Sequence, residues 1–196
     1  MKLILASSSP QRAEVLQNAG FFFEIVPAHV DESRREGEKA GDFVGRLADT
    51  KASTVAANLP QASHPAIVIG ADTVITVDGL ILGKPADAQN ACEMLRRLSG
   101  RTHEVITGLA VLSWPKGERC VEQEITRVTF AALKEGEIED YVASGEPLGK
   151  AGAYAIQGLG GRFVERVEGC YFNVVGLPLA RLYRILREMK SLRAAS

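Results

Sequence analysis

The sequence predicts an α/β fold built on a parallel or mixed sheet, and three features carry that prediction. Leu3-Ile4-Leu5-Ala6 is a short unbroken apolar run, the pattern of a strand covered on both faces. Ala66 to Val77 is a longer run of the same kind. Segments with apolar residues at helical spacing stand between and after them, so strand and helix alternate along the chain. With 196 residues, 46% apolar and 24% charged, the chain has the size and composition of a globular domain with a full core, and a single domain over residues 1–196 is expected.

The elements follow in order. After the first strand, Ser7, Ser8 and Ser9 precede Pro10, and Val15, Leu16 and Ala19 recur at helical spacing. Ser9 is therefore the expected N-cap, Pro10 the first helical residue and Gly20 the stop. A helix start carries unpaired N–H groups and the positive end of the helix dipole. Three hydroxyls and Arg12 in its first turn thus suit a phosphate or carboxylate, although a well-capped surface helix would look the same. The glycines and Gly-Lys-Ser/Thr ending of a Walker loop are missing. Phe21 to Pro27 is a second β candidate, and charge-rich Asp31 to Gly41, with Asp31 and Glu32 at its start, is a loop or arm. Asp42 to Asn58 reads as a helix with Val44, Ala48, Lys51 and Val55 on one stripe. Lys51 lies on or beside the apolar face, where its ammonium either snorkels to the rim or reaches an anion.

The central run continues through Asp78-Gly79, a type I′ hairpin signal, into Leu80-Ile81-Leu82 and Gly83-Lys84-Pro85. Asp72 interrupts it. A carboxylate with aliphatic neighbours on both sides is costly to bury unpaired, so it needs a partner, a metal or an open cleft, unless it only caps a turn after Gly70. Gly70 and Ala71 permit close approach, and Lys84 comes back along the hairpin. Asp87 to Leu98 is an amphipathic helix with Ala91, Met94, Leu95 and Leu98 inward, Arg96-Arg97 outward and Gly100 at its end. His103 to Trp114 and Arg119 to Phe130 form a hairpin about Pro115-Lys116-Gly117, and Glu135 to Ser144 is a short helix with Ile138, Tyr141 and Val142 inward. Gly145 to Gly161, dense in glycine and small residues, is a binding loop or a flexible connector, and Tyr154, Ile156 and Gln157 favour the loop. Phe163 to Val167 and Tyr171 to Val175 are expected as strands. Leu177 to Lys190 is the closing helix, with Leu179, Leu182, Tyr183 and Leu186 on its buried stripe.

The 23 basic residues nearly cancel the 24 acidic ones, giving a net charge of −1, so any anion must be held locally. Neither nucleic acid nor an anionic membrane is an expected partner. Cys92, Cys120 and Cys170 are odd in number and far apart, which argues against a disulfide framework and Cys-x-x-Cys zinc spacing. They are expected as buried apolar residues in a reducing compartment. His29, His64 and His103 are equally scattered, which disfavours a histidine metal site. No run approaches the ~18 apolar residues of a membrane span. Met1-Lys2 leads into strand residues without a secretory leader, so a cytoplasmic location is expected.

Ser7 to Ser9 with Arg12, the lysines Lys51 and Lys84, the acids Glu32 and Asp72, and a glycine-rich loop with Gln157 together suit a polyphosphate. Cations and N–H groups neutralise phosphates, carboxylates hold a divalent ion or activate water, and an amide reads a base edge with one donor and one acceptor. The motifs Leu5-Ala6-Ser7-Ser8-Ser9-Pro10-Gln11-Arg12, Gly70-Ala71-Asp72-Thr73-Val74, Gly83-Lys84-Pro85, Leu98-Ser99-Gly100-Arg101-Thr102-His103 and Lys150-Ala151-Gly152-Ala153-Tyr154-Ala155-Ile156-Gln157-Gly158 resemble, in that order, those of the Maf family of nucleoside triphosphate pyrophosphatases. The resemblance runs over essentially the whole chain, to Asn173-Val174-Val175-Gly176-Leu177-Pro178.

The resemblance implies hydrolysis between the α and β phosphates, giving the monophosphate and pyrophosphate, with a divalent metal cation (Mg2+ or Mn2+) as cofactor. It implies an elongated mixed sheet flanked by helices, like that of inosine triphosphatase, with a cleft between two lobes. Carried over by matching positions, Asp72 is the general base, and Ser7, Arg12, Lys51, Lys84 and Gln157 bind substrate. Glu32 joins Asp72 at the metal, and Gln11, Thr73 and Gln157 bear on base choice. Ala-Tyr-Ala-Ile-Gln-Gly resembles the branch acting on dTTP and UTP, with modified pyrimidine nucleotides inside the same reading. The family usually has two arginines after the proline, and the first is Gln11 here, which removes one positive charge from the phosphate cradle. Two alternatives stay open at this point: the same chemistry on 7-methyl-GTP, and a nucleotide-binding regulator of cell division with little turnover. The expected partners are the nucleoside triphosphate and, for assembly, a second copy in a homodimer.

Overall fold

Apolar runs covered on both faces belong inside a sheet, and the two noted above lie side by side there. The structure, a computed structural model, describes residues 2–60 and 65–194, the last five by backbone alone; Met1 and His64 lie outside the described residues. Lys2–Leu5 (β1) pairs in parallel with Glu24–Ile25 (β2) on one side and with Ala66–Val77 (β3) on the other, Leu5 standing opposite Ile69. β2 is all that forms of the expected Phe21 to Pro27 strand, and Phe22 is exposed there. Leu80–Leu82 (β4) returns antiparallel on β3 through Asp78 and Gly79, whose φ values of 51° and 75° are those of the expected type I′ turn. Thr102–Trp114 (β5), Arg119–Phe130 (β6) and Val164–Glu168 (β7) complete a seven-stranded sheet in the order β2-β1-β3-β5-β6-β7, with β4 on β3 and β7 antiparallel to β6.

The helices are Pro10–Asn18 (α1), Ala40–Ala57 (α2), Ala88–Leu98 (α3), Glu135–Ala143 (α4), Tyr171–Val175 (α5) and Leu179–Ala194 (α6). The result is the mixed α/β class that the sequence predicts. α1 starts at Pro10 behind Ser9, and Gly20 follows it at φ 77°, as expected. α3 is capped by Asp87, whose carboxylate accepts from the Asn90 N–H at 2.7 Å.

Three expectations change. Tyr171–Val175 is a helical turn rather than a strand: Gly169 at φ 126° breaks the chain after β7, and the N–H groups of Asn173 and Val174 turn back to the Cys170 carbonyl. A five-residue run, here Tyr-Phe-Asn-Val-Val, is too short for a periodicity that separates the two outcomes. On α6 the buried stripe is Leu182, Ile185, Leu186 and Met189, so Tyr183 faces solvent and Leu179 is half-buried. The cysteines are free and half-buried rather than fully buried.

The chain forms two compact units, Met1–Asp72 with Thr107–Glu124 and Gly176–Ser196, and Thr73–Ile106 with Ile125–Val175. In the first, Ile4, Ala6, Ala48, Ala52, Val55 and Val68 belong to one apolar cluster. In the second, Leu95, Leu98, Phe130, Ile138, Tyr141 and Phe163 do so. No described helix is long and apolar enough to cross a membrane.

Candidate functional site

The position of Lys51 follows from two missing side chains. A Cβ at Gly70 on β3 would lie 2.1 Å from the Ala48 carbonyl, and one at Gly108 on β5 would lie 2.2 Å from the Val44 carbonyl. Glycine at both positions lets α2 rest on the sheet backbone. Residue 72 shares a strand face with residue 70, and residue 51 lies about one turn beyond residue 48, so the contact carries Lys51 to Asp72. The Lys51 ammonium donates to Asp72 Oδ1 at 2.7 Å and sits 2.6 Å from Glu32 Oε1. Lys51 is only 7% exposed, whereas Asp72 retains 13% of its side-chain surface and Glu32 lies open on the arm. The sequence left Lys51 between snorkelling and meeting an anion. It meets two.

The turn after β1 is tied to the same place. β1 and β3 stay bonded through the Ala6 N–H and the Ile69 carbonyl, so Ser7 emerges beside Gly70 and Ala71. The buried Ser7 hydroxyl accepts from the Ser9 N–H at 3.2 Å and from Arg12 Nη1 at 3.1 Å. Arg12 also donates from Nη1 to the Ala71 carbonyl and from Nε to the Gly176 carbonyl, both at 2.8 Å. One guanidinium therefore joins the start of α1, the residue before Asp72 and the turn before α6. Burial pushes the Arg12 guanidinium down from its ordinary value, and the charges of Asp72 and Glu32 oppose that shift. Gln11, half-buried, accepts from the Ser9 hydroxyl at 3.1 Å, so the Ser9 side chain bonds the glutamine rather than capping α1.

The first unit thus brings Ser7, Arg12, Glu32, Lys51 and Asp72 together, with Gln11 at the same turn. Thr73, Lys84 and Gln157 belong to the second unit. Thr73 is half-buried on β3, while Lys84 after β4 and Gln157 are exposed. The hairpin end and the late loop are joined there, because the Gly152 N–H donates to the Gly83 carbonyl at 2.9 Å. That loop is ordered by single-turn helical pieces at Ala151–Ala153 and Leu159–Phe163, with Tyr154 and Ala155 buried. His103, 1% exposed, shares a hydrogen bond between its Nε2 and the Tyr154 hydroxyl at 2.9 Å, and its Nδ1 has no hydrogen-bond partner among the described residues. Burial alone pushes its pKa down to about 4.

Sequence reasoning missed the carbonyls of Ala71 and Gly176 as ligands of Arg12, which carry no side-chain signal. It also missed Glu146, whose carboxylate accepts from the Leu159 and Gly160 N–H groups. A carboxylate opening a glycine-rich loop was the available clue.

The family described as Maf-like protein matches residues 2–189. A dTTP/UTP pyrophosphatase of Koribacter versatilis is 51% identical over 187 residues, covering 95% of this chain and 94% of its own. Proteins of the same name from Bacillus mycoides, 50% identical over 97% of this chain and 96% of theirs, and Clostridioides difficile, 44% identical over 98% and 97%, are similar throughout. A crystal structure of a nucleoside-triphosphatase / dITP/XTP pyrophosphatase from Mycobacterium abscessus aligns with 17% identity and a TM-score of 0.39 over 68% of this chain and 74% of that one, a likeness too loose to build on. A match from residue 2 to residue 189, with relatives at half identity along nearly the full length, means that this chain belongs to the Maf family.

Proposed function

We propose that this protein hydrolyses dTTP and UTP to the monophosphate and pyrophosphate, with Asp72 as the general base. The observation that carries the proposal is the single ammonium of Lys51 held 2.7 Å from Asp72 and 2.6 Å from Glu32, beside the serine-rich start of α1. The names of the relatives support the substrate class.

Asp72 orients a water and takes its proton as the oxygen attacks the α-phosphorus. The bond from that phosphorus to the bridging oxygen breaks, and pyrophosphate departs. Lys51 and Arg12 meet the negative charge that builds on the leaving group, and Ser7 and the N–H groups at the start of α1 orient phosphate oxygens. Since Nε and Nη1 of Arg12 already serve Gly176, Ala71 and Ser7, its part is chiefly its field and the shape it imposes on the turn. In the second unit, Lys84 serves the phosphates, and Thr73 and Gln157 bear on the base.

A divalent cation fits these residues by donor chemistry. Among the described residues no group of three or more His, Cys, Asp or Glu could hold an ion. Magnesium, however, takes one or two carboxylates together with substrate phosphates, and Glu32 and Asp72 supply that pair. When bound there, such an ion supplies further neutralisation of phosphate charge.

Asp72→Asn keeps the shape and removes the base. Pyrophosphate release from UTP falls about 100-fold or more. Near wild-type release would overturn the assignment.

A further inference from the structure

The late loop of the second unit is held by a carboxylate that the reaction does not use. Glu146 Oε2 accepts from the Leu159 N–H at 2.9 Å, and its Oε1 accepts from the Gly160 N–H at 3.0 Å and from the Tyr141 hydroxyl at 2.8 Å. The Tyr141 hydroxyl accepts in turn from the Ala155 N–H at 3.1 Å. Two side chains therefore fix backbone N–H groups on both sides of Gln157, at residue 155 before it and at 159 and 160 after it. The glycines of the loop are shaped to them: a Cβ at Gly158 would lie 2.3 Å from Glu146 Oε2, and one at Gly160 would lie 2.6 Å from the Tyr141 oxygen. Burial pushes the Glu146 carboxyl up, but the two N–H groups and the Tyr141 hydroxyl outweigh it and hold the group below its usual range, so it is an anion at neutral pH. Burial, reinforced by Glu146, raises the Tyr141 hydroxyl, which therefore stays a donor.

We propose that Glu146 and Tyr141 are positioning residues for base selection: they hold the turn that presents Gln157, so its amide meets one base edge in a fixed orientation. The inference rests on the reading of the chain as a dTTP and UTP pyrophosphatase. A hydrogen-bonding group discriminates between substrates only while its place is held, because a mobile amide swings to suit either a carbonyl or an amine on the base. UTP and CTP differ in that group. Neither Glu146 nor Tyr141 need touch the nucleotide.

The test compares wild type with Glu146→Ala, Glu146→Gln and Tyr141→Phe for kcat/KM on UTP and CTP, and for exchange of the Leu159 and Gly160 amide hydrogens without nucleotide. In Glu146→Ala both amides exchange faster, and the UTP to CTP ratio falls about tenfold or more, a loss of at least 1.4 kcal/mol in discrimination. Glu146→Gln keeps one acceptor oxygen and falls between the two. Tyr141→Phe frees the Ala155 side and also lowers the ratio. Because both substrates are measured on one sample, a partly unfolded variant leaves the ratio intact. Faster exchange with an unchanged ratio overturns the inference, as do unchanged exchange rates or a wild type without preference between UTP and CTP. Equilibrium binding of UTP and CTP is measured alongside. If wild type binds UTP selectively but releases no pyrophosphate, the hydrolytic reading falls while the binding ratio still decides the role of Glu146.

Discussion

Lys51 is where the chemistry and the fold meet in one side chain. Its ammonium is nearly buried and holds two carboxylates, so removing it takes away the proposed phosphate ligand and leaves negative charges crowded together. Lys51→Met is expected to lower kcat/KM on UTP by about 100-fold, roughly 2.7 kcal/mol of transition-state stabilisation, with KM and kcat both affected. Lys51→Arg does not rescue it, since a planar guanidinium cannot occupy the point position of an ammonium between two carboxylates. Steady-state pyrophosphate release checks both variants, and a Lys51→Met enzyme within threefold of wild type would exclude the lysine from phosphate binding. Gln11 tests the same field from the opposite sign. Gln11→Arg adds a positive charge at the start of α1, so the KM for UTP falls several-fold at low salt and less at high salt. At this scale the sequence was informative wherever a residue broke its own pattern. Asp72 stood out because an apolar strand cannot bury it unpaired, and Lys51 because it fell on an apolar stripe. Arg12 was noted as a cation, but its bonds to two backbone carbonyls could not be read, because any residue supplies a carbonyl.

Among the elements, α2 decides whether the cluster exists. Its seat on β3 requires that residue 70 have no Cβ, since one would meet the Ala48 carbonyl at 2.1 Å, a backbone atom that cannot rotate away. Gly70→Ala therefore moves α2 off the strand. The expected cost is at least the ~1–3 kcal/mol of an overpacked core, together with loss of most activity as Lys51 leaves Asp72. Gly136→Ala is the control: it lies within α4, a Cβ there meets nothing within 4 Å, and alanine is expected to stabilise by about 0.5–1 kcal/mol with activity unchanged. Urea unfolding and pyrophosphate release on the same preparations check both, and equal behaviour of the two variants would sink the steric account. Periodicity located α2 and α3 because each carries a long apolar stripe, and Asp78-Gly79 located the I′ hairpin because that pair is a specific turn signal. It failed at Tyr171–Val175, where the run is short and the outcome is set by Gly169 and by the bonds between Thr126 and Cys170, partners far apart in the chain.

Over the whole molecule, the shifted acids and His103 bias stability in one direction. Glu38, Glu122, Glu135, Glu146 and Asp31 are all held below the usual carboxylate range, and buried His103 is held down at about 4 against 6.5. In every case the unfolded chain binds protons that the folded chain refuses, so stability declines as pH falls. The two classes separate by window. Carboxylates begin to matter only near and below about pH 4.5, whereas His103 starts to weaken the fold at about pH 6.5 and has given its full effect by about pH 4. Its span of 6.5 to about 4 is worth about 3–4 kcal/mol at most, with a slope of up to 1.4 kcal/mol per pH unit between those limits. The driving force is physical and local: a ring 1% exposed, packed edge-on against Phe130 and Tyr154, would have to carry a charge with one nitrogen unpartnered. Urea unfolding of wild type between pH 7 and 5 is thus expected to lose about 2 kcal/mol before any carboxylate contributes. His103→Leu has a lower stability at pH 7, because the Tyr154 hydroxyl loses its partner, but a nearly flat profile down to pH 5. A leucine variant that keeps the wild-type slope over that interval would show that protons are taken up elsewhere.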